Sequence, residues 1–90
     1  MTLRPKQRAK SRHIGMKELL EYMARSLVNH PDMVHVHSVA SGYSVLFELE
    51  VSPGDKGMVI GRRGRIANTM RSLLRVAAST EGKRATLDII

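Results

Sequence analysis

Two glycines, Gly61 and Gly64, bracket two arginines, Arg62 and Arg63, in the second half of this 90-residue chain. Glycine has no Cβ and tolerates positive φ, so a loop of this kind can bring its backbone close to a ligand. The guanidinium groups donate directed, charged hydrogen bonds to phosphate oxygens. A helical pattern follows at once, and the N-terminus of a helix favours anions. The stretch therefore predicts a clamp for a nucleic-acid backbone.

Further basic residues flank this loop. Arg65 and Arg71 fall near one face of the helix predicted after it, together with Asn68 and Arg75. They either extend a basic track or form the solvated face of that helix, and the spacing leaves both interpretations open. Lys56, before the loop, is a candidate of the same kind.

Charge is concentrated in two segments of the chain. The net charge is +7, yet residues 1–15 and residues 56–80 contain basic residues and no acid, and all 8 acids lie elsewhere. An electropositive segment around the loop attracts polyanions. Residues 1–15, with little apolar content, are predicted to be a flexible basic arm, and residues 16–90 the folded domain.

Several classes of protein are disfavoured. There is no cysteine, so neither a disulfide nor a thiolate metal site is available. His35 and His37 alternate on a predicted strand near His30, which is too few ligands for a metal site. No Ser/His/Asp set suggests catalysis, and no cofactor is expected. Neither a membrane span of about 20 apolar residues nor a signal peptide is present, which favours the cytoplasm.

Apolar spacing predicts six elements in the order α-β-β-α-α-β. Helical spacing predicts helices over 16–29 and about 65–80. Alternation predicts strands over 33–39, 44–51 and 84–90, with the first two joined as an antiparallel hairpin. Three strands with three helices on one face make an α+β domain.

Helix ends are also marked. Ser52 is predicted to cap a short helix that starts at Pro53 and runs to Val59 or Ile60, with Asp55 in the place of a capping-box acid. Gly82 is predicted to end the longer helix. The buried stripe of that helix is predicted to consist of Ile66, Met70, Leu73, Leu74, Ala77 and Ala78.

The loop and its surroundings resemble a known family. The run Val59-Ile60-Gly61-Arg62-Arg63-Gly64-Arg65-Ile66 resembles the signature of KH domains, and the element order is that of the type II KH fold. Residues 16–90 are similar throughout to the small single-KH-domain proteins of bacteria, the KhpA family. The similarity extends to Met16-Lys17-Glu18-Leu19-Leu20-Glu21-Tyr22, to Asn29-His30-Pro31-Asp32 and to Glu81-Gly82-Lys83-Arg84.

The resemblance implies a non-enzymatic protein that binds single-stranded RNA, about four nucleotides in one cleft. It also implies groove roles for Ile60 and Ile66, an RNA-chaperone or post-transcriptional role, and links to cell division and cell shape. The implied partners are a second copy or a larger KH-containing protein of the KhpB/Jag type, without a membrane. The scarcity of aromatic residues argues against the stacking platforms of RRM and OB folds.

Two alternatives stay open at the level of sequence. The domain could serve chiefly for dimerisation or as a scaffold, with RNA contact secondary. The strand bound could also be single-stranded DNA, because DNA shares the phosphates that the loop would contact.

Overall fold

A computed structural model describes residues 15–90. The predicted basic arm, residues 1–15, lies outside the described residues except for Gly15. The elements, in chain order, are α1 (Met16–Leu27), β1 (His35–Ser41), β2 (Ser44–Glu50), α2 (Lys56–Ile60), α3 (Arg65–Ser79) and β3 (Arg84–Ile89). The predicted order α-β-β-α-α-β and the α+β class of the type II KH fold are confirmed.

The three strands form one mixed sheet in the order β1-β2-β3. β1 and β2 are the predicted antiparallel hairpin, with Val36 opposite Leu49. β2 and β3 are parallel, with Phe47 opposite Leu87. Parallel neighbours need a crossover connection, and here α2, the glycine loop and α3 supply it. The loop is therefore held at one end by α3, which packs on β3, and at the other by α2, which packs against α1 and α3.

One face of the sheet carries the core. Val36, Phe47 and Leu87 turn their side chains towards the helices and are at most 6% exposed. Leu20 of α1 and Leu74 of α3 meet them and are fully buried. The alternation of apolar and polar residues along the strands is thus explained by a sheet that is covered on one side only.

The uncovered face of the sheet is acidic at one end. His37 lies beside Glu48, and Glu48 lies beside Asp88 on the parallel strand. Within residues 15–90, neither Glu48 nor Asp88 forms an ion pair, whereas Glu50 Oε1 lies 3.4 Å from His37 Nε2. Two carboxylates that are cross-strand neighbours repel each other.

Some predicted boundaries are shifted. The prediction that a helix continues to residue 29 is wrong by two residues, because Val28 already has extended dihedrals. A short 3-10 turn, Pro31–Met33, then delays β1, which begins at His35 instead of residue 33.

The predicted cap of the short helix is wrong. Ser52 makes no side-chain cap bond; its backbone carbonyl accepts the N–H of Asp55 at 2.8 Å and closes a 3-10 turn over Pro53–Asp55. α2 begins at Lys56, directly after this turn, and has five residues. The carboxylate of Asp55 turns inward, where it is 2% exposed, and therefore cannot serve as a capping-box acid.

The predicted buried stripe of α3 is confirmed at Met70, Leu74 and Ala78 but is wrong at Leu73, which is 45% exposed. Leu73 is displaced by about 100° around the helix from Leu74, away from the sheet. Gly82 ends the helix as predicted, with φ +68. Its N–H bonds to Ser79, and the next N–H bonds back to Ala78.

Candidate nucleic-acid interface

The glycine loop joins α2 to α3 through four residues. α2 ends at Ile60, and Gly61 and Gly64 have φ of 76° and 72°. Between them Arg63 has φ 58° and ψ 25°, and among residues 15–90 it is the one non-glycine with positive φ. The turn is closed by a hydrogen bond from Gly64 N–H to the Gly61 carbonyl at 3.1 Å. Because positive φ strains a residue that has a Cβ, this conformation explains why positions 61 and 64 are glycines.

The two glycines are required for different reasons. A Cβ on Gly61 would lie 2.6 Å from Cγ1 of Ile66, so this position needs both the positive φ and the missing side chain. A Cβ on Gly64 would meet nothing closer than 3.9 Å, so that position needs the left-handed backbone alone. The side chain of Ile66 therefore packs directly against the loop backbone.

The basic side chains of the loop face solvent. Arg62, Arg63 and Arg65 are exposed, and none of them forms an ion pair with a carboxylate in the part of the chain that the structure describes. Lys56 is likewise exposed at the start of α2. The nearest acid in sequence, Asp55, is buried. The loop thus presents uncompensated positive charge beside the N-terminus of α3, an arrangement that attracts anions.

The side chain of Arg71 contacts the edge of the sheet and not the loop. Its Nε donates to the backbone carbonyl of Leu87 at 3.3 Å, and its Nη1 donates to Oδ1 of Asn68 at 3.1 Å. Arg71, Arg75 and Arg84 line a shallow groove between α3 and β3, the edge strand of the sheet. Sequence reasoning missed Arg84 as a candidate, because only the three-dimensional packing of β3 brings it beside α3.

The two isoleucines flank the loop with different exposure. Ile60 is 39% exposed at the end of α2, whereas Ile66 is half-buried and packs on the core. Ile66 lines a groove between α1 and α3, on the other side of α3 from the groove that holds Arg71. The structure therefore places Arg65 and Ile66 at the groove between α1 and α3, and Arg71 at the groove between α3 and β3.

The histidines and carboxylates of the described residues do not form a metal-binding cluster. Within residues 15–90 no three His, Asp or Glu side chains come close enough together to hold a metal ion. His35 and His37 lie on the uncovered face of the sheet. Among the same residues, no helix is long and apolar enough to cross a membrane.

Comparison with known proteins decides the family. The model of the family "KhpA/KhpB, KH domain" matches residues 17–89 of the chain. The chain belongs to the KhpA/KhpB family of KH domains. Relatives of this KhpA/KhpB domain include the RNA-binding protein KhpA of Clostridium perfringens, 48% identical over 75 residues that span 83% of this chain and 100% of that protein.

Other KhpA relatives are similar over the same region. The RNA-binding protein KhpA of Halalkalibacterium halodurans is 47% identical over 83% of this chain and 99% of its own length. That of Chlamydia trachomatis is 37% identical over 83% of this chain and 96% of its own length. The resemblance read from the loop and its flanking segments is thereby confirmed.

Solved structures share the fold of this KhpA/KhpB domain. A crystal structure of Era from Aquifex aeolicus bound to GDP and AlF4− superposes with a TM-score of 0.58 at 16% identity, over 82% of this chain and 29% of that chain. Era in complex with MgGDPNP and nucleotides 1506–1542 of 16S ribosomal RNA gives a TM-score of 0.56 at 15% identity, over 82% and 28%. This chain spans less than a third of either Era chain, and the likeness concerns the fold.

Proposed function

We propose that this chain is a non-enzymatic protein that binds single-stranded RNA, with the loop from Gly61 to Gly64 clamping the sugar–phosphate backbone. The observation that carries the proposal is the exposure of Arg62 and Arg63, without carboxylate partners in residues 15–90, in the turn that leads into α3. The relatives named RNA-binding protein KhpA support it.

The clamp works by close approach and charge. At Gly64, where a Cβ would meet nothing closer than 3.9 Å, the missing side chain leaves the backbone open, so a phosphate can approach the main chain at the start of α3. Arg62 and Arg63 then contact successive phosphates with directed, charged hydrogen bonds. These contacts recognise the backbone and carry no base preference.

The strand continues from the loop along the groove between α3 and β3. Arg71, Arg75 and Arg84 line that groove and add positive charge along it. Lys56, Arg65 and Ile60 extend the contact around the loop. With about four phosphates neutralised, log K should fall with log[salt] with a slope near −3 for a single strand.

The basic arm, residues 1–15, adds to this interface in the proposal, with residues 16–90 as the KH domain. The arm's basic residues and lack of acids would attract the same polyanion and steepen the salt dependence. Removal of residues 1–14 should therefore make the salt dependence shallower, while the contribution of the loop to that dependence remains.

Fluorescence anisotropy with a labelled single-stranded RNA tests the proposal at two salt concentrations. The Arg62→Asp/Arg63→Asp variant should lose most of the binding. Lys17→Asp/Arg25→Asp, with the same change in net charge at exposed positions of α1 that line neither groove, is the matched control. Circular dichroism checks the fold of both. Equal binding by the two variants would place the RNA on another surface.

A matched DNA oligomer in the same assay addresses the alternative ligand. Preference for RNA requires contacts to the 2′-hydroxyl, whereas equal affinity would mean that the clamp reads phosphates alone. RNA chaperoning or post-transcriptional control in the cytoplasm is the cellular role that fits this activity, and strand-annealing assays would measure it.

Assembly with a partner is the second candidate function. Leu73 and Val76 are 45% and 65% exposed on α3, and apolar exposure at helical spacing is typical of a contact surface. The partner in this proposal is a second copy or a larger KH-containing protein of the KhpB/Jag type. Leu73→Asp should abolish self-association in sedimentation equilibrium. Association that persists in this variant would contradict the assignment of the surface.

A further inference from the structure

An apolar groove runs between α1 and α3. Its lining includes Tyr22, Met23 and Leu27 from α1 and Ile66 and Met70 from α3, and its volume is about 470 Å³. That volume lies within the range of small-ligand pockets, which are also mostly apolar with a few polar groups. The groove is separate from the arginine-lined groove between α3 and β3.

The α1–α3 groove begins at the glycine loop. Ile66, whose Cγ1 would contact a Cβ on Gly61 at 2.6 Å, is also part of the groove wall. Arg65, which follows Gly64 directly, is exposed and lies at the same wall. A strand held at the loop therefore needs no further span of protein surface to reach this groove.

Tyr22 is the aromatic side chain at this groove. It is 72% exposed, although its helix has a well-filled apolar face towards the core. Phe47 is 3% exposed in the core, and Tyr43 is 82% exposed at the turn between β1 and β2. Within residues 15–90 Tyr22 is thus the aromatic ring that both borders an apolar groove and lies open to a ligand.

The polar groups of the groove accept hydrogen bonds. Ser26 Oγ donates its proton to the carbonyl of Tyr22 at 2.8 Å, and Thr69 Oγ1 donates to the carbonyl of Arg65 at 2.8 Å. Both hydroxyls line the groove, and their lone pairs stay available to a ligand that carries N–H groups.

We propose that the α1–α3 groove receives a nucleobase of the strand held at the loop, stacked on the ring of Tyr22 and packed against Ile66. Arg65 contacts the phosphate that joins this nucleotide to the clamped segment. The inference rests on the RNA-binding function proposed for the loop and adds a subsite beyond the clamp. An unpaired base supplies a flat apolar surface and an N–H-bearing edge, which matches an apolar wall with two acceptor hydroxyls.

Stacking on the ring of Tyr22 should make a measurable contribution to RNA affinity. Removal of the ring in Tyr22→Ala should weaken binding of an eight-nucleotide single-stranded RNA roughly tenfold. Tyr22→Phe should bind like the parent, because the ring and not the hydroxyl carries the stacking. Tyr43→Ala, which removes another exposed tyrosine at the hairpin turn, is the matched control and should leave affinity unchanged.

A spectroscopic signal separates stacking from a structural effect. In the Tyr43→Phe variant Tyr22 is the remaining tyrosine of the chain. Its ring protons should move upfield in NMR spectra when the eight-nucleotide RNA is added, as expected for a ring under a stacked base. Unchanged ring signals, together with parent-like affinity of Tyr22→Ala, would overturn the inference.

The outcomes distinguish this inference from the function on which it rests. If Arg62→Asp/Arg63→Asp binds RNA like the parent, the proposed function of the loop fails. If that variant loses binding while Tyr22→Ala does not, the loop is the clamp and the subsite alone is wrong. If Tyr22→Ala converts a dimer to a monomer in sedimentation and its RNA affinity recovers at high protein concentration, the groove holds a second copy, which also overturns the base-binding inference.

Discussion

The carboxylate of Asp55 fixes the backbone of His30. Oδ2 of Asp55 accepts the His30 backbone N–H at 2.9 Å and lies 3.1 Å from Nδ1 of the His30 ring. Asp55 directly precedes α2, a helix of five residues that is too short to be stable alone. The contact therefore helps to hold in place the helix that leads into the glycine loop, together with Val59, which is fully buried.

Asp55→Ala should lower the free energy of unfolding by about 1–3 kcal/mol, since it leaves the N–H of His30 without its acceptor. Urea denaturation followed by circular dichroism measures the change. Asp32→Ala is the control, because Asp32 is exposed in the nearby 3-10 turn. Equal stability of the two variants would show that the Asp55 contact contributes nothing to folding.

Gly61→Ala should be more destabilising than Gly54→Ala. The added methyl would lie 2.6 Å from Ile66 Cγ1 and 2.9 Å from Ile66 Cβ, at a φ of +76°. The left-handed backbone alone costs about 1–2 kcal/mol for a residue with a Cβ. At Gly54 a Cβ meets nothing within 4 Å. Thermal unfolding of both variants tests this, and similar melting temperatures would contradict the close packing of Ile66.

Arg63→Gly should separate stability from binding. Its φ of 58° is strained for arginine, so glycine should raise the free energy of unfolding by up to about 1 kcal/mol. Loss of the guanidinium should at the same time weaken RNA binding. Arg62→Gly removes the same charge at a residue without positive φ, so it should weaken binding without a gain in stability. A stability gain in both variants would argue against strain at Arg63.

Arg75→Ala/Arg84→Ala should weaken RNA binding and flatten its salt dependence. Each phosphate contact contributes about 0.7 to the slope for a single strand, so the double variant should lose about 1.4. Arg25→Ala on α1, where the arginine pairs with Glu21 on the surface, is the control. Salt titrations by anisotropy give the slopes, and an unchanged slope would move the strand out of the groove between α3 and β3.

Local patterns predicted the elements and the loop because each depends on residues close in sequence. The hairpin turn, the glycine that ends α3 and the glycine loop are of this kind. The role of Asp55 was not predictable, because a local capping rule competes with a partner 25 residues away, and the tertiary contact prevails. Leu73 fits the spacing of a buried residue, yet spacing alone does not distinguish a core from a surface that awaits a partner.

The division of the site residues between two grooves was equally hidden. Ile66 and Arg71 lie within two turns of one helix, and only the positions of α1 and β3 on either side of α3 show that they face different grooves. Arg84 became a candidate RNA-binding residue only because the structure places β3 beside α3.

The separation of charge between the two sides of the molecule has a kinetic consequence. Glu48 and Asp88 lie together on the uncovered face of the sheet, while Arg62 and Arg63 project from the loop on the crossover between β2 and β3. A polyanion that diffuses towards the protein is repelled from the first side and drawn to the second, so productive orientations are selected during the encounter itself. At physiological ionic strength this guidance acts over about 8 Å, and added salt shortens it. The acidic face would therefore raise the fraction of collisions that succeed without ever touching the ligand.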